Sequence, residues 1–303
     1  MSYPRLPFVI LPATRLEAPG WGKLFHLFRL DSPAHHSRWE HAPTRIIRGK
    51  WHRYRLKLDL SNWSERHTYF LGRFYDLGTQ LALKAILKRG GRFVDVGANI
   101  GMITLLGAYL VGPEGRVDSF EPNPGCVARI REHLELNRLG HVHIHNMALG
   151  ANRQTMRLSV VTEHTGMGTL AEVPAQDRAL ITAEHDVQVV PGDETLLRDD
   201  LPPRLIKIDV EGFELAALKG LSQTLDRWHP AVITECVEEH LVRAGASREE
   251  LLRFMTAAGY RGYAVETRRQ TWRHRLELKP FAPGSGANNV LWFHGQDGLT
   301  GLR

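Results

Sequence analysis

The chain of 303 residues contains 43% hydrophobic and 24% charged residues, which is typical of a folded globular protein and excludes a disordered one. Its net charge of +6 is too small for this length to indicate nucleic acid or anionic lipid as a partner. Two cysteines exclude a zinc site built from paired Cys-x-x-Cys motifs, and no apolar run is long enough to span a bilayer.

The N-terminal part predicts an extension that packs on a larger domain. Prolines interrupt residues 1–50, which indicates irregular structure, although residues 21–30 predict a short amphipathic helix with its apolar face on the domain. Residues 53–60 alternate polar and apolar side chains, as a half-buried strand does. We expect an extension over residues 1–62 and an α/β domain over 63–303. The start has no apolar signal core and cysteines are few, so we expect a cytoplasmic protein.

Strands and helices alternate from residue 79 onward. The predicted strands are residues 92–97, 116–122, 141–149, 204–210, 231–237, 261–267 and 289–295. The predicted helices are residues 79–90, 102–110, 125–140 and 214–225, and a further helix opened by the capping pair Ser247 and Glu250. This alternation predicts a Rossmann-like, doubly wound α/β fold: a mostly parallel seven-stranded sheet with an antiparallel closing strand. Residues 150–203 form an insertion, which we expect on the substrate side.

The turn after the first strand of this series is the main functional motif. It reads Asp95-Val96-Gly97-Ala98-Asn99-Ile100-Gly101. Ligands of open α/β sheets bind at the carboxyl ends of the strands, and a glycine there lets the backbone approach a ligand closely. A dinucleotide fingerprint needs Gly where this chain has Asn99 and Met102, so a nicotinamide cofactor is disfavoured. The acid at position 95 suits a ligand with a cationic amino group.

The next strand ends at Glu121, twenty residues beyond Gly101. A carboxylate at this place can accept hydrogen bonds from both hydroxyls of a ribose. The two features on consecutive strands therefore predict a cofactor that contains a ribose and a cationic group.

With these motifs, the chain resembles the FkbM family of methyltransferases. The segments that carry the resemblance are FVDVGANIGMITL (93–105), SFEPNP (119–124), LELNRLG (134–140), NMALG (146–150) and LIKIDVEGFELAALKG (205–220), together with residues 64–76 and 288–293. It covers roughly residues 50–295. It implies a class I methyltransferase fold, S-adenosyl-L-methionine as the cofactor, and methylation of oxygen, often on sugars or polyketides.

The resemblance also implies a set of cofactor-binding residues. They are Asp95, Val96, Gly97, Ala98, Asn99, Gly101, Glu121, Pro122, Asn123, Met147, Ala148 and Asp209. Asp95, Gly97, Asn99 and Gly101 would bind the methionine part and Glu121 the ribose. Asn123, Met147 and Ala148 would lie near the adenine.

Three carboxylates are the catalytic candidates: Asp209, Glu211 and Glu235. Each follows or ends a predicted strand near the expected position of the methyl group, where a carboxylate could take the proton of a hydroxyl acceptor. Residues 209 and 211 alternate along the chain, so only one faces a given side unless the chain turns at Gly212. The alternative role of Glu211 is to cap the following helix.

Three other interpretations stay open. A nucleic-acid methyltransferase could use the basic segment 268–275 with Trp272, although DVEGF replaces the Pro-Pro-aromatic motif of base-amine enzymes. A non-catalytic cofactor-binding protein could keep the same fold. Asp209, Glu235 and either His164 or His240 could bind Mg²⁺, but no spacing motif supports this and we expect no metal.

The expected partner is a small-molecule or glycan hydroxyl acceptor, not nucleic acid or a membrane, and the sequence is compatible with an oligomer.

Overall fold

The structure, a computed structural model, describes residues 3–17, 19–28, 30, 36–161, 168–270, 273–282 and 284–295. Its strands in chain order are β1 Thr44–Arg48, β2 Arg55–Asp59, β3 Arg92–Val96, β4 Arg116–Phe120, β5 Val142–His145, β6 Ala148–Leu149, β7 Gln154–Val161, β8 Gly168–Thr169, β9 Ile181–Val190, β10 Pro203–Ile208, β11 Ala231–Glu235, β12 Tyr260–Gln270, β13 Arg273–Pro280 and β14 Asn289–His294.

The helices cover both faces of the main sheet. They are α1 Leu11–Leu16, α2 Trp21–Leu27, α3 His36–Trp39, α4 Trp63–Leu71, α5 Leu77–Ile86, α6 Met102–Val111, α7 Pro124–Asn137, α8 Asp193–Leu196, α9 Glu214–Lys219, α10 Ser222–Trp228, α11 Glu238–Arg243 and α12 Arg248–Ala257. Short 3-10 helices span Leu6–Ile10 and Ala175–Leu180. In the part of the chain that is described, none of the helices combines the length and apolar character needed to cross a membrane.

The main sheet has the strand order β13-β12-β14-β11-β10-β3-β4-β5. Strands β11, β10, β3, β4 and β5 run parallel, and β14, β12 and β13 add to the β11 edge by antiparallel pairing. This confirms the expected α/β fold with a mostly parallel sheet. The expected count of seven strands was one short, because β13 is a charged edge strand whose sequence, RHRLELKP, we interpreted as part of a basic surface segment. Charged side chains are common on edge strands, where they discourage further pairing.

Alternation along the central strands divides the core in two. Phe93 packs into a cluster with helices α5, α6 and α7, whereas Val94 and Val96 pack into a second cluster with α9, α10 and α12. Leu205 and Ile206 of the neighbouring strand alternate in the same way. Because successive side chains of a strand point to opposite faces, both faces of this sheet are covered and its central strands are buried along most of their length.

The N-terminal segment contains more regular structure than expected. It forms short helices and a β1–β2 hairpin, where we expected an irregular segment with one helix and one strand. Leu56, Leu58 and Leu60 are buried in the same cluster as Phe93, so the hairpin packs on the α5–α7 face. Asn62 caps helix α4 by accepting the backbone N–H of Ser64. The domain boundary at residue 62 stays a prediction.

The insertion between the third and fourth predicted strands forms its own sheet with the order β6-β9-β7-β8. The predicted strand 141–149 is wrong at its end, since β5 stops at His145 and residues 148–149 pair with β9 instead. Leu158 and Leu170 from this insertion line a cavity that also contains the ends of β3 and β10. Its role in substrate binding stays a prediction.

Two predicted helices also end differently. The helix predicted over 214–225 is broken into α9 and α10 near Gly220, whose carbonyl oxygen accepts the backbone N–H of Asp193. The Asp193 carboxylate accepts the backbone N–H groups of Gln223 and Thr224 in the first turn of α10. Helix α5 ends at Ile86, four residues before the predicted end at Gly90. The break near residue 220 depends on a contact with the insertion. The spacing of apolar residues within 214–225 holds no information about that contact.

Candidate functional site

A cavity of about 340 Å³ opens at the carboxyl ends of β3, β4, β10 and β11. Most of the predicted site residues line it: Val96, Gly97, Ala98, Asn99, Glu121, Pro122, Asn123, Met147, Ala148, Asp209, Glu211 and Glu235. Their common placement follows from the parallel pairing of these strands, which brings their ends to one edge of the sheet. The binding and catalytic roles of these residues stay predictions.

The loop after β3 is shaped by a close approach to the loop after β10. Gly97 has a φ of +74°, and a Cβ at this position would lie 1.9 Å from the carbonyl oxygen of Asp209. Only glycine fits both this conformation and this distance. We had expected glycine here for contact with a ligand, but its immediate neighbour is the protein backbone. Asn99 also adopts a positive φ of 52° and exposes its backbone N–H toward Glu121.

Glu121 organises the loops on either side of it. One carboxylate oxygen accepts the backbone N–H of Asn99 at 2.7 Å, and the other accepts that of Asn123 at 2.9 Å. Burial raises the pKa of Glu121 to about 7, although the two backbone hydrogen bonds act in the opposite direction and lower it. Each oxygen can accept a second hydrogen bond, so a ribose diol remains compatible with this arrangement.

Two of the predicted cofactor residues, Asp95 and Gly101, do not line the cavity, and their role in binding the cofactor stays a prediction. Asp95 is fully buried, where its carboxylate accepts the hydroxyl of Thr104 at 2.7 Å and lies 3.4 Å from the ammonium of Lys207. Gly101 begins helix α6 at a φ of +87°, with a virtual Cβ 3.3 Å from Ile130. Both residues therefore contact other parts of the protein rather than the cavity: Asp95 contacts Thr104 and Lys207, and Gly101 packs against Ile130.

Lys207 is a cavity residue that sequence reasoning missed. It lies on β10 with 5% exposure, and its ammonium donates to the carbonyl oxygen of Gly97 at 2.8 Å. The ammonium lies 3.4 Å from both Asp95 and Asp209. Burial alone would lower the pKa of Lys207, but these two carboxylates raise it. The sequence feature that could have identified Lys207 is its place inside the apolar run LIKID. A lysine buried in such a strand needs ionic partners, which here would be the neighbouring acids.

The loop after β10 turns so that Asp209 and Glu211 both reach the cavity. Glu211 has a φ of +54° and Gly212 of +109°, which breaks the alternation of the strand. The backbone N–H groups of Val210 and Gly212 donate to Glu214, at 3.0 and 3.2 Å. Glu214 therefore accepts the backbone N–H groups of this turn, and the N-cap residue of α9, Phe213, has no side-chain capping bond. The Glu211 side chain lies beside His240 instead.

Glu211, Glu235 and His240 form a group that we call the Glu–His–Glu cluster. The Nδ1 atom of His240 lies 3.1 Å from a carboxylate oxygen of each glutamate. Burial raises the pKa of both Glu211 and Glu235. Repulsion from Glu235 and Asp209 adds to the rise at Glu211, and repulsion from Asp209 adds to it at Glu235. One ligand atom from each of the three residues lies within 4.8 Å of the others, so the cluster could hold a metal ion. The expected absence of a metal stays a prediction, and His164 lies outside the described residues.

Three aromatic residues form one side of the cavity, which we call the aromatic wall: Trp63, Phe74 and Tyr75. The rings of Trp63 and Tyr75 lie 5.3 Å apart, and those of Phe74 and Tyr75 lie 4.3 Å apart. Burial raises the pKa of Tyr75, and the nearby carboxylates of Asp209, Glu211 and Glu235 raise it further. The aromatic wall therefore faces the same space as the carboxylates. Sequence reasoning missed it because these residues precede the predicted sheet.

The central half of the chain matches a known family. Residues 95–261, more than half of the chain, match the model of the methyltransferase FkbM domain. Methyltransferase 1 of Beauveria bassiana (strain ARSEF 2860) is 27% identical over 202 residues, which are 59% of this chain and 74% of that protein. Methyltransferase sdnD of Sordaria araneosa is 28% identical over 189 residues, which are 50% of this chain and 72% of that protein.

Solved structures resemble the chain more distantly. The methyltransferase FkbM from Methylobacillus flagellatus KT is 16% identical, with a TM-score of 0.40, over 78% of this chain. The chain spans about half the length of that structure, 54%.

The cavity has the chemistry that S-adenosylmethionine requires. Glu121 has the acceptor oxygens that a ribose would need, and Met147 and Ala148 provide apolar surface beside it. Gly97 and Asp209 line the same cavity. Together with the matched domain, these features identify the cofactor as S-adenosyl-L-methionine, and the chain belongs to the FkbM family of methyltransferases.

Proposed function

We propose that the protein transfers a methyl group to a hydroxyl oxygen of a saccharide, a glycolipid or a polyketide-type metabolite. The observation that carries this proposal is that Asp209, Glu211 and Glu235 line one cavity together with the aromatic wall. Carboxylates accept hydrogen bonds from hydroxyl groups, and the flat apolar face of an aromatic ring suits the C–H surface of a sugar. A cytoplasmic location stays a prediction.

The protein residues would act mainly by positioning the acceptor. Bound S-adenosylmethionine supplies an electrophilic methyl group on a sulfonium. Lys207 fixes the direction of Asp209 through the 3.4 Å ion pair and anchors itself on the backbone of Gly97. A carboxylate held in this way can orient an acceptor hydroxyl and accept its proton as the new bond forms.

The acidic lining supports a neutral or cationic acceptor over nucleic acid. The acceptor side of the cavity contains Asp76, Asp209, Glu211 and Glu235, with Lys207 as the nearby cation. A phosphate backbone would meet repulsion there, because like charges at short range in a partly buried site interact strongly.

The basic segment 268–275, which motivated the nucleic-acid alternative, is partly used within the fold. The Arg269 guanidinium donates to the carbonyl oxygen of Glu17, and His274 lies 3.6 Å from the Glu17 carboxylate. Trp272 lies outside the described residues. The described residues of the segment belong to β12 and β13, and none of them lines the cavity.

Transfer of a labelled methyl group to defined acceptors tests the proposal. The purified protein is incubated with methyl-labelled S-adenosylmethionine and either glycosides, polyketide glycosides or RNA, and the variant Asp209→Asn, purified identically, controls for host enzymes. We expect label in a hydroxyl of a glycoside or polyketide. Label in RNA alone would reject the proposal in favour of the nucleic-acid alternative. Cofactor binding by calorimetry without transfer to any hydroxyl would support the non-catalytic alternative.

A further inference from the structure

Helix α6 begins at the cavity without a cap. Its N-cap residue, Gly101, makes no side-chain capping bond, and no acidic residue lies in the first turn. Among the described residues, nothing accepts the backbone N–H groups of Met102 and Ile103, although both residues line the cavity. Unpaired N–H groups and the partial positive charge at the start of a helix favour an anion there. This part of the cavity is therefore suited to a negative group of a ligand.

A buried hydroxyl in the lining of the same cavity also lacks a partner. Thr68 of α4 is 1% exposed, and its Oγ1 atom makes no hydrogen bond to any described residue. A hydroxyl that is shielded from water without a partner is unfavourable, and such groups are rare in folded proteins. A bound ligand that accepts a hydrogen bond from Thr68 would remove this cost. The uncapped helix and the hydroxyl are independent observations, and both indicate a ligand with acceptor oxygens.

The fold holds α4 close to the start of α6. Phe70 of α4 packs in the same core cluster as Met102 and Ile103. The carboxylate of Glu65, also on α4, accepts the guanidinium of Arg129 on α7 at 2.8 Å. Helix α4 is thereby fixed against the face of the sheet that α6 and α7 cover. It precedes the matched family domain, so that match assigns it no role.

The chemistry of the cofactor identifies the anion. S-adenosylmethionine carries a carboxylate on its methionine moiety, next to a cationic amino group and a sulfonium. The carboxylates of Glu121, Asp209, Glu211 and Glu235 line the cavity, and they attract the cationic groups but repel a carboxylate. The start of α6 and the hydroxyl of Thr68 offer donors that no described residue uses. These donors match the one part of the cofactor that the acids of the cavity cannot bind.

We infer that the N-terminal part of the chain completes the cofactor site: the hydroxyl of Thr68 and the first N–H groups of α6 bind the carboxylate of S-adenosylmethionine. The hydroxyl donates to a carboxylate oxygen, and the helix contributes its N–H groups and its dipole. The inference concerns the cofactor alone, so it does not depend on which acceptor is methylated. It makes Thr68 a binding residue and leaves the proton of the acceptor to Asp209.

Binding of two cofactor forms to Thr68 variants tests the inference. Decarboxylated S-adenosylmethionine keeps the sulfonium and the amino group but lacks the carboxylate, so it is the probe for this contact. Loss of a hydrogen bond to a charged group is expected to weaken binding of S-adenosylmethionine to Thr68→Val by about ten- to a hundredfold, measured by calorimetry. Binding of the decarboxylated form should stay nearly unchanged. Thr68→Ser keeps the hydroxyl and should bind both forms nearly as the unmodified protein does.

Thr224→Val is the matched control. Thr224 of α10 also has a fully buried hydroxyl without a partner among the described residues, but it does not line the cavity. Its replacement should leave both affinities unchanged. Equal weakening of the two cofactor forms in Thr68→Val would overturn the inference, because the hydroxyl would then act on the shape of the cavity. Unchanged binding of both forms to Thr68→Val would overturn it as well.

The backbone amide signals of Met102 and Ile103 test the part of the site that we assign to α6. A carboxylate acceptor deshields an N–H, so S-adenosylmethionine should shift both NMR signals downfield more strongly than the decarboxylated form does. Equal shifts with the two forms would overturn the assignment of the carboxylate to this helix. Both measurements are made without an acceptor. Failure to methylate any hydroxyl would therefore reject the proposed function and leave this inference standing.

Discussion

Glu121 lies where the loops after β3 and β4 meet, and its two carboxylate oxygens accept a backbone N–H from each. The side chain is 7% exposed, so these amides have little access to water. If Glu121 also binds the ribose, its removal leaves two backbone donors and two ligand hydroxyls without acceptors. A buried donor left in this state costs about 1–3 kcal/mol.

We therefore predict that Glu121→Ala weakens S-adenosylmethionine binding at least tenfold. Calorimetric titration measures the dissociation constant, and circular dichroism checks that the fold is retained. Glu121→Gln is the matched variant, since it keeps the shape and one acceptor oxygen, and its loss of affinity should be smaller. An unchanged dissociation constant in Glu121→Ala would show that the ribose is held elsewhere.

Asp209 is the carboxylate on which we predict the largest effect on chemistry. Asp209→Asn keeps the shape and removes the charge, while Lys207 retains Asp95 and the carbonyl oxygen of Gly97 as partners. Loss of a general base typically lowers the rate by about 10²–10⁴. We expect turnover to fall by that factor, measured under saturating cofactor, with little change in cofactor affinity.

The opposite pattern would reassign Asp209. Unchanged turnover together with a lower melting temperature would make it a structural partner of Lys207. The catalytic role would then pass to Glu235 or to positioning of the acceptor alone.

At the scale of elements, the strands that carry the site were predictable and several of their neighbours were not. Strands β3, β4, β10 and β11 are short apolar runs ended by acids, a local pattern that survives in any parallel sheet. The break at Gly220 and the sheet change after His145 depend on contacts with the insertion, which no local pattern encodes. Edge strand β13 was missed because its charges conceal the alternation.

The turn between β3 and α6 gives a prediction at the element scale. Gly97→Ala places a Cβ 1.9 Å from the carbonyl oxygen of Asp209, so the loops after β3 and β10 must separate. We expect loss of cofactor binding and a lower melting temperature. Gly90→Ala is the matched control, because Gly90 has a φ of +75° with no atom within 4 Å of its virtual Cβ. It has the same backbone strain without the clash.

The difference between these two variants, in melting temperature and in cofactor affinity, isolates the contact between the two loops. Equal effects of Gly97→Ala and Gly90→Ala would mean that backbone strain alone explains both. The close approach of the loops would then have no role in shaping the cofactor site.

At the scale of the whole molecule, charge is distributed in a way that its total does not reveal. The net charge is +6, yet the cavity is lined by carboxylates with Lys207 as a buried cation among them. The sequence could indicate the acids at strand ends, because each follows an apolar run. It could not indicate their partners, since Lys207, His240 and the aromatic wall come together only through the fold. Ion pairs between residues that are distant in sequence decide which of the acids are neutralised and which face a ligand.

This charge distribution leads to a prediction about cofactor choice. S-adenosylmethionine carries a sulfonium and an amino group, whereas NAD carries an anionic pyrophosphate. The cavity offers carboxylates at Glu121 and Asp209, and the loop has Asn99 and Met102 where a pyrophosphate-binding turn has glycine. In a partly buried site the carboxylates attract the cationic groups of S-adenosylmethionine and repel the pyrophosphate of NAD. Both effects favour S-adenosylmethionine. We expect calorimetry to show micromolar binding of S-adenosylmethionine and no binding of NAD, with the affinity weakening as salt is added. Binding of NAD without binding of S-adenosylmethionine would contradict both the electrostatic argument and the cofactor assignment.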